Sequence, residues 1–425
     1  MNDDATSAPA AAGVARQFSR RQVLGAAGAL GLTAVGAAGC DSTAAPSTAP
    51  STAPSPGSSR SAGRVTAPPA QDILAANYNK DFDLIDFSQL QAASASWLRG
   101  FYVMADADKG GVADQPGIKK LLAAADRGYG TVLTLKFLYH KNSTTLNQPL
   151  PAPGSAAMRT ALTELQKVLE VALGKVDIIV IGNEPFYETT EADRQSSRIN
   201  TFYEALAQHA IAQRASSRTQ LYMGALTAID DAGNQTPQTD RWVRFAAQTP
   251  QLAGVDIHPH VTSMANAKKY VDYTLARLRP DQHFLATEFS LVKLFKQHLT
   301  DPIDPGFASR HRIPRGTPVW QVLKDATQQR FSQDEWNDFL ATASWLQAGR
   351  DFLTQQIAAF RATGRLAVAG YGITQDKGGA SDFNPHKTPW VLNSLFCPLT
   401  VQNGKGGLPG ENPIWLPEFR DAQHR

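Results

Sequence analysis

The sequence predicts an α/β chain closed into a (β/α)8 TIM barrel with a long insertion after the seventh strand, and three observations carry that prediction. Short apolar, β-branched runs alternate with longer stretches in which Leu and Val recur at helical spacing. Eight such runs follow residue 65, and regular strand–helix alternation implies parallel strands joined by helical crossovers. Polar side chains also gather where the runs end, which is where a barrel of this kind carries its functional groups.

In order, the expected strands are 72–79 (DILAANYN), 96–103 (SWLRGFYV), 131–137 (TVLTLKF), 176–182 (VDIIVIG), 221–228 (LYMGALTA), 254–261 (GVDIHPHV), 283–292 (HFLATEFSLV) and 365–374 (RLAVAGYGIT). The first is the weakest of the set. Between them lie helical patterns such as GIKKLLAAADRG and AAMRTALTELQKVLEVALG, and one long helical pattern precedes the eighth strand, EWNDFLATASWLQAGRDFLTQQIAAFRATG. The stretch from Lys293 to Ser332, rich in Pro and Arg, reads as a loop walling the mouth of the barrel. Its Arg310, Arg312 and Arg315 read as a solvated face before they read as an acidic-glycan site.

The chain divides into three parts. Residues 1–40 read as an export signal: Arg20–Arg21 precede a short Gly/Ala-rich apolar run, a twin-arginine pattern too short for a comfortable membrane span. That run ends in AAGC, similar to a lipoprotein cleavage box with Cys40 as the lipidated residue, so an exported cell-envelope lipoprotein or a secreted protein is expected. Residues 41–64 repeat Pro, Ser, Thr and Ala and lack the apolar content to order, which makes them a tether. Residues 65–425 have globular composition and form the catalytic-type domain. With Cys40 lipidated, Cys397 has no partner, and no structural disulfide is expected. The chain holds 41 basic and 38 acidic residues, a formal charge of +3, which gives no field for nucleic acid. No zinc-type Cys/His spacing, Walker loop or dinucleotide glycine fingerprint occurs. No cofactor and no metal is expected, and a monomer is, with membrane contact only through the N-terminal lipid.

Reading off the strand ends gives Arg99, then Lys136 with Tyr139 and His140, then Asn183 and Glu184, Thr227, His258 and His260, Glu288, and finally Tyr371 and Gln375. The position of Glu184 is unusual. VDIIVIG is a buried-strand sequence, yet Asn183, Glu184 and Pro185 follow it without a polar spacer. A Glu after a strand is most often solvated; a second Glu ending the seventh run makes a paired site the better reading.

IGNEP at the fourth strand and ATEFS at the seventh, with DIHPH at the sixth, resemble the clan A type glycoside hydrolases, (β/α)8 barrels whose two catalytic glutamates end strands four and seven. The resemblance covers residues 72–376. It implies a retaining double displacement on an extracellular or cell-wall glycan, with Glu184 as acid/base and Glu288 as nucleophile. Retention needs two carboxyls roughly 5–5.5 Å apart, and an acid protonated near neutral pH, hence a Glu184 carboxyl raised by burial and by its neighbour's charge. In these terms Asn183 would contact the sugar 2-hydroxyl, Arg99 would hold Glu288 ionised, and His258 or His260 would touch one of the acids. Lys136 reads equally as a rim charge and as a ligand, and Glu188 as a residue of the loop rim. A strand-eight Trp, usual in that family as the sugar platform, is missing here; Tyr371, Gln375 or Trp390 would take its place. Two other functions remain open: a glycan-binding barrel lipoprotein without catalysis, and a barrel lyase or aldolase using Lys136 or a His/carboxylate metal set.

Overall fold

The computed structural model describes residues 70–78, 82–140, 146–404 and 406–423, which belong to one compact unit. The expected export signal, its Cys40 and the tether lie outside the described residues.

Eight parallel strands close in sequence order into a barrel: β1 (Ile73–Tyr78), β2 (Trp97–Val103), β3 (Gly130–Lys136), β4 (Ile178–Ile181), β5 (Gln220–Thr227), β6 (Leu252–His258), β7 (His283–Ala286) and β8 (Leu366–Gly372). Closure is made by β1 against β8, with Ile73 opposite Val368 and Asn77 opposite Gly372. The weakest sequence signal, the first strand, is therefore a full member of the sheet.

Strand residues alternate between two environments, as the pleat demands. One set fills the barrel floor: Ala75, Val132, Ile178, Val180, Tyr222, Leu285 and Val368. The other set, including Leu98, Leu135, Ile181, Met223, Ile257 and Ala369, packs against the helices. Burying each such Leu or Ile contributes about 1.5–3 kcal/mol, so the register is strongly specified. Two residues beyond the floor, the inward positions turn polar: Asn77 follows Ala75, Thr134 follows Val132, and Thr287 follows Leu285. An apolar floor thus carries a polar layer directly above it.

The helix Pro237–Gln248 illustrates how sequence places the outer layer. Thr236 caps it, accepting from the Thr239 backbone N–H, while the Thr239 side chain accepts from the Thr236 N–H in return. Pro237 fits the first turn, where no N–H is needed. The helix buries Trp242, Val243 and Ala246, and the Trp242 indole N–H donates to the Gly224 carbonyl of β5 at 3.2 Å.

Two expectations change between β7 and β8. The stretch expected as a loop contains three helices, Val292–Gln297, Pro305–Arg310 and Val319–Gln328. Arg310 is bound there by Asp338 through two contacts of 2.9 and 2.7 Å. The long helical pattern is broken into Gln333–Thr342, Ser344–Gln347 and Phe352–Arg361. Ala343 is extended (ψ 90°), and at Gly349 a Cβ would sit 2.8 Å from the Leu291 side chain. Among the described residues no helix is long and apolar enough to cross a membrane.

Candidate active site

Glu184 owes its place to Gly182. After β4 the chain turns at Gly182 with φ +96°, and a Cβ there would lie 2.7 Å from the Pro185 ring and 2.9 Å from the Tyr203 ring. Only glycine accommodates both the dihedral and the space. The chain then makes a helical turn, with Tyr187 and Glu188 N–H groups donating to the Glu184 carbonyl at 2.8 and 2.9 Å. This turn keeps the Glu184 side chain at the mouth, 19% exposed. Glu288 lies two residues beyond β7 and is 11% exposed.

Arg99 organises the polar layer. It sits within β2, fully buried, four residues before the strand ends. Its Nη1 is 2.5 Å from Glu288 Oε1 and also donates to Asn77 Oδ1 at 3.1 Å; its Nε donates to Thr134 Oγ1 at 3.1 Å and its Nη2 to Asn183 Oδ1 at 2.8 Å. Four strands or strand ends thus converge on one guanidinium. Asn183 passes the network on, its Nδ2 donating to Glu188 Oε1 at 2.9 Å, and Glu188 pairs with Lys136. Glu188 is 2% exposed, so its expected place on the loop rim is corrected. The helical turn after Glu184 carries it inward. Lys136 also lies over the Phe101 ring, 4.4 Å from its centroid.

The two histidines join the acids. His258 Nδ1 is 3.1 Å from Glu184 Oε1 and 3.8 Å from Glu288 Oε1. His260 Nε2 is 4.0 Å from Glu184 Oε1 and 3.6 Å from Glu288 Oε2. Because one imidazole nitrogen touches both, the two carboxylate oxygens are no more than about 7 Å apart, a bound compatible with the retaining spacing of roughly 5–5.5 Å. The far side of each ring is tied to a hydroxyl: His258 Nε2 to Thr287 Oγ1 at 2.9 Å, and His260 Nδ1 to Ser290 Oγ at 2.8 Å. Thr287 Oγ1 in turn donates to Asp256 Oδ2 at 2.5 Å. Glu184, His258 and His260 each present one ligand-type atom, all within 4.8 Å of one another.

The charges follow from these contacts. Burial alone would raise the Glu288 carboxyl, but the His258 cation, Arg99 and His260 outweigh it and hold it well below the usual carboxylate range. Burial opposes protonation of His258, yet Glu288, Asp256 and Glu184 push it up to about 10. The expectation of a raised Glu184 is overturned. Burial and the charge of Glu288 do push it up, but the hydrogen bond and charge of His258 prevail and bring it below its ordinary value.

Tyr371 does not reach the mouth. It is 1% exposed and packs in the outer layer, with ring centroids 5.3 Å from Phe289 and 6.0 Å from Trp415. It shares the outward parity of Ala369 and Ile373. Trp390 is near the site instead, its ring 4.9 Å from that of His260 and nearly perpendicular to it (81°). Gln375 Nε2 donates to the Val391 carbonyl, holding the short turn that carries Trp390. Tyr139 packs on Phe202 and His140 contacts Asn147, so neither joins the cluster around the acids. Asp256, Thr287, Ser290 and Asn77 are not among the expected site residues; Asp256, Thr287 and Ser290 stand in the DIHPH and ATEFS motifs, where inward parity is the signal for Asp256 and Thr287.

No protein-family model matches the chain, and no curated protein matches it. Among solved structures, the chain is similar to a thermostable mutant of a xylanase from Cellvibrio japonicus, with a TM-score of 0.51, 15% identity, and 84% of this chain and 98% of that chain covered. The GH53 catalytic domain from Ignisphaera aggregans is similar with a TM-score of 0.46 and 16% identity over 84% of this chain and 98% of that one. The xylanase likeness shows the barrel fold.

Proposed function

We propose that the chain is an exported glycoside hydrolase that cleaves a glycan with retention, Glu288 acting as nucleophile and Glu184 as acid/base. The observation that carries this reading is the shared His258 nitrogen, which holds two carboxylates from β4 and β7 within about 7 Å of each other at the barrel mouth. The xylanase likeness supports the fold on which such a pair would work, and the export signal is read from sequence alone.

In this reading Arg99 keeps Glu288 ionised and aimed at the anomeric carbon. The proton for the leaving oxygen is stored on His258 Nδ1 and passes through Glu184 Oε1, 3.1 Å away, to the departing group as Glu288 forms the glycosyl ester. Esterification removes the charge of Glu288, one of the groups that holds the proton on His258. In the second half, Glu184 takes a proton from the attacking water and returns it to His258, and the ester bond to Glu288 breaks. Asn183 keeps one amide hydrogen beyond its bonds to Arg99 and Glu188, which the sugar 2-hydroxyl would accept. Trp390 supplies the apolar face for the ring.

The test is covalent trapping with a panel of activated 2-deoxy-2-fluoroglycosides followed by peptide mass mapping. A glycosyl adduct on the peptide containing Glu288, absent in Glu288→Gln, supports the reading. Turnover with inverted product, or binding of glycans with no turnover of any glycoside, sinks it.

A further inference from the structure

We infer that Glu184, His258 and His260 form a binding site for a divalent transition-metal ion of the Zn2+ type, and that an ion bound there closes the proposed acid/base centre. The binding half stands on geometry alone; the inhibitory half rests on the glycosidase reading.

Three features point to a metal. First, Glu184 Oε1, His258 Nδ1 and His260 Nε2 converge, with 3.1 and 4.0 Å from the carboxylate oxygen to the two nitrogens and all three within 4.8 Å. Bonds of about 2.0–2.2 Å in a tetrahedral zinc site place ligand atoms roughly 3.3–3.6 Å apart, so side-chain shifts on the order of 1 Å complete the set.

Second, each imidazole is oriented from behind. Thr287 Oγ1, itself bound to Asp256, holds His258 Nε2, and Ser290 Oγ holds His260 Nδ1. A hydrogen-bonded partner on the non-ligating nitrogen is what fixes the tautomer and aim of metal-binding histidines. Both hydroxyls are fully buried, so the aim is rigid.

Third, the acidic neighbours suit a cation, which on binding takes the place of the proton on His258 Nδ1. Glu288 lies 3.6 Å from His260 Nε2 and 3.8 Å from His258 Nδ1, close enough to become a fourth ligand. Arg99 is already matched by that carboxylate. Two imidazoles with carboxylate oxygen select Zn2+ or Cu2+; Mg2+ and Ca2+ prefer all-oxygen shells. An ion bridging Glu184 and both histidines would occupy the oxygen that must exchange a proton with substrate.

The experiment uses the full chain after chelator treatment. Calorimetric titration with ZnCl2 should give a single saturable equivalent, and Co2+ should give the visible absorption of a tetrahedral site. His260→Ala should abolish both. Ser290→Ala, which leaves every ligand in place, should weaken binding by about 10–100-fold and serves if the histidine variant misfolds. Absence of heat and of the Co2+ spectrum up to about 1 mM metal, or binding unaffected by either variant, overturns the inference. Because the metal is read without substrate, failure of the glycosidase reading leaves the binding test intact. If glycosidase activity is found, zinc should abolish it and chelator restore it; activity unchanged at saturating zinc overturns the inhibitory half.

Discussion

Arg99 Nη1 meets Glu288 Oε1 at 2.5 Å, from a guanidinium with no exposure to a carboxylate only 11% exposed. A buried cation of this kind needs such partners: with Glu288, the acceptors Asn77, Thr134 and Asn183 use four of its five N–H groups. Arg99→Met strands one ionised carboxylate and three polar acceptors. We expect a loss of about 3–5 kcal/mol in unfolding free energy, read by denaturant titration. Arg99→Lys keeps the charge but cannot span four acceptors. It should recover most of the stability while leaving kcat at least about tenfold down, equivalent to ~1.4 kcal/mol of transition-state stabilisation. Full activity in the lysine variant would contradict the positioning role.

Gly182 is the second lever. Gly182→Ala asks an L-residue to hold φ +96° and to fit a Cβ 2.7 Å from Pro185. The backbone cost alone is on the order of 1–3 kcal/mol, and relief would swing Asn183 and Glu184 away from Arg99 and His258. The variant should therefore lose activity out of proportion to its drop in Tm, which parallel melts and rate assays compare. A variant as active as the parent would show that the turn does not set the acid.

These two residues also mark what the sequence made legible. The eight strands were readable because fully buried strands are apolar on both faces, and IIVI or HFLA needs no neighbour to be recognised. Strand limits were less legible. The seventh run continues through Phe289 and Leu291, whereas the ladder ends at Ala286; those later residues are apolar because they pack on helices, not because they pair. Parity was the harder matter. Tyr371 reads as a strand-end aromatic, but its register points it at Phe289 and Trp415. Glu188 reads as a loop residue because the turn that buries it depends on long-range packing. The charge state of Glu184 was out of reach for the same reason: it is decided by His258, 74 residues away, and behind it by Asp256.

His258 gives a prediction in pH. Its folded pKa of about 10 exceeds the ordinary 6.5, so the proton is bound more tightly in the folded state. The stability it contributes is fully present below about pH 6.5 and is lost as pH rises toward 10. The groups responsible face it from β6 and from the ends of β4 and β7: Asp256, Glu184 and Glu288. In chelator-treated protein, Tm should fall between pH 6.5 and 10. In His258→Gln that decline should be markedly shallower. Equal slopes in the two proteins would mean that His258 is neutral in the fold.

In the proposed glycosidase, Trp390 is the residue that would separate binding from chemistry. Its half-buried ring stands edge-on to His260 at 4.9 Å, on a turn held by Gln375. Removing it exposes no core, so Trp390→Ala should leave Tm nearly unchanged. An aromatic surface under a sugar is worth about 0.5–1.5 kcal/mol beyond area burial, so KM should rise by about threefold to tenfold on a responsive glycoside. Gln375→Ala, which frees the turn without deleting the ring, should move KM in the same direction by less. The reasoning is specific to the position: Tyr371→Phe, in the outer layer, should leave KM where it is, since that hydroxyl never faces the cleft. A KM that responds to Tyr371 but not to Trp390 would place the sugar on the wrong side of β8 for this site.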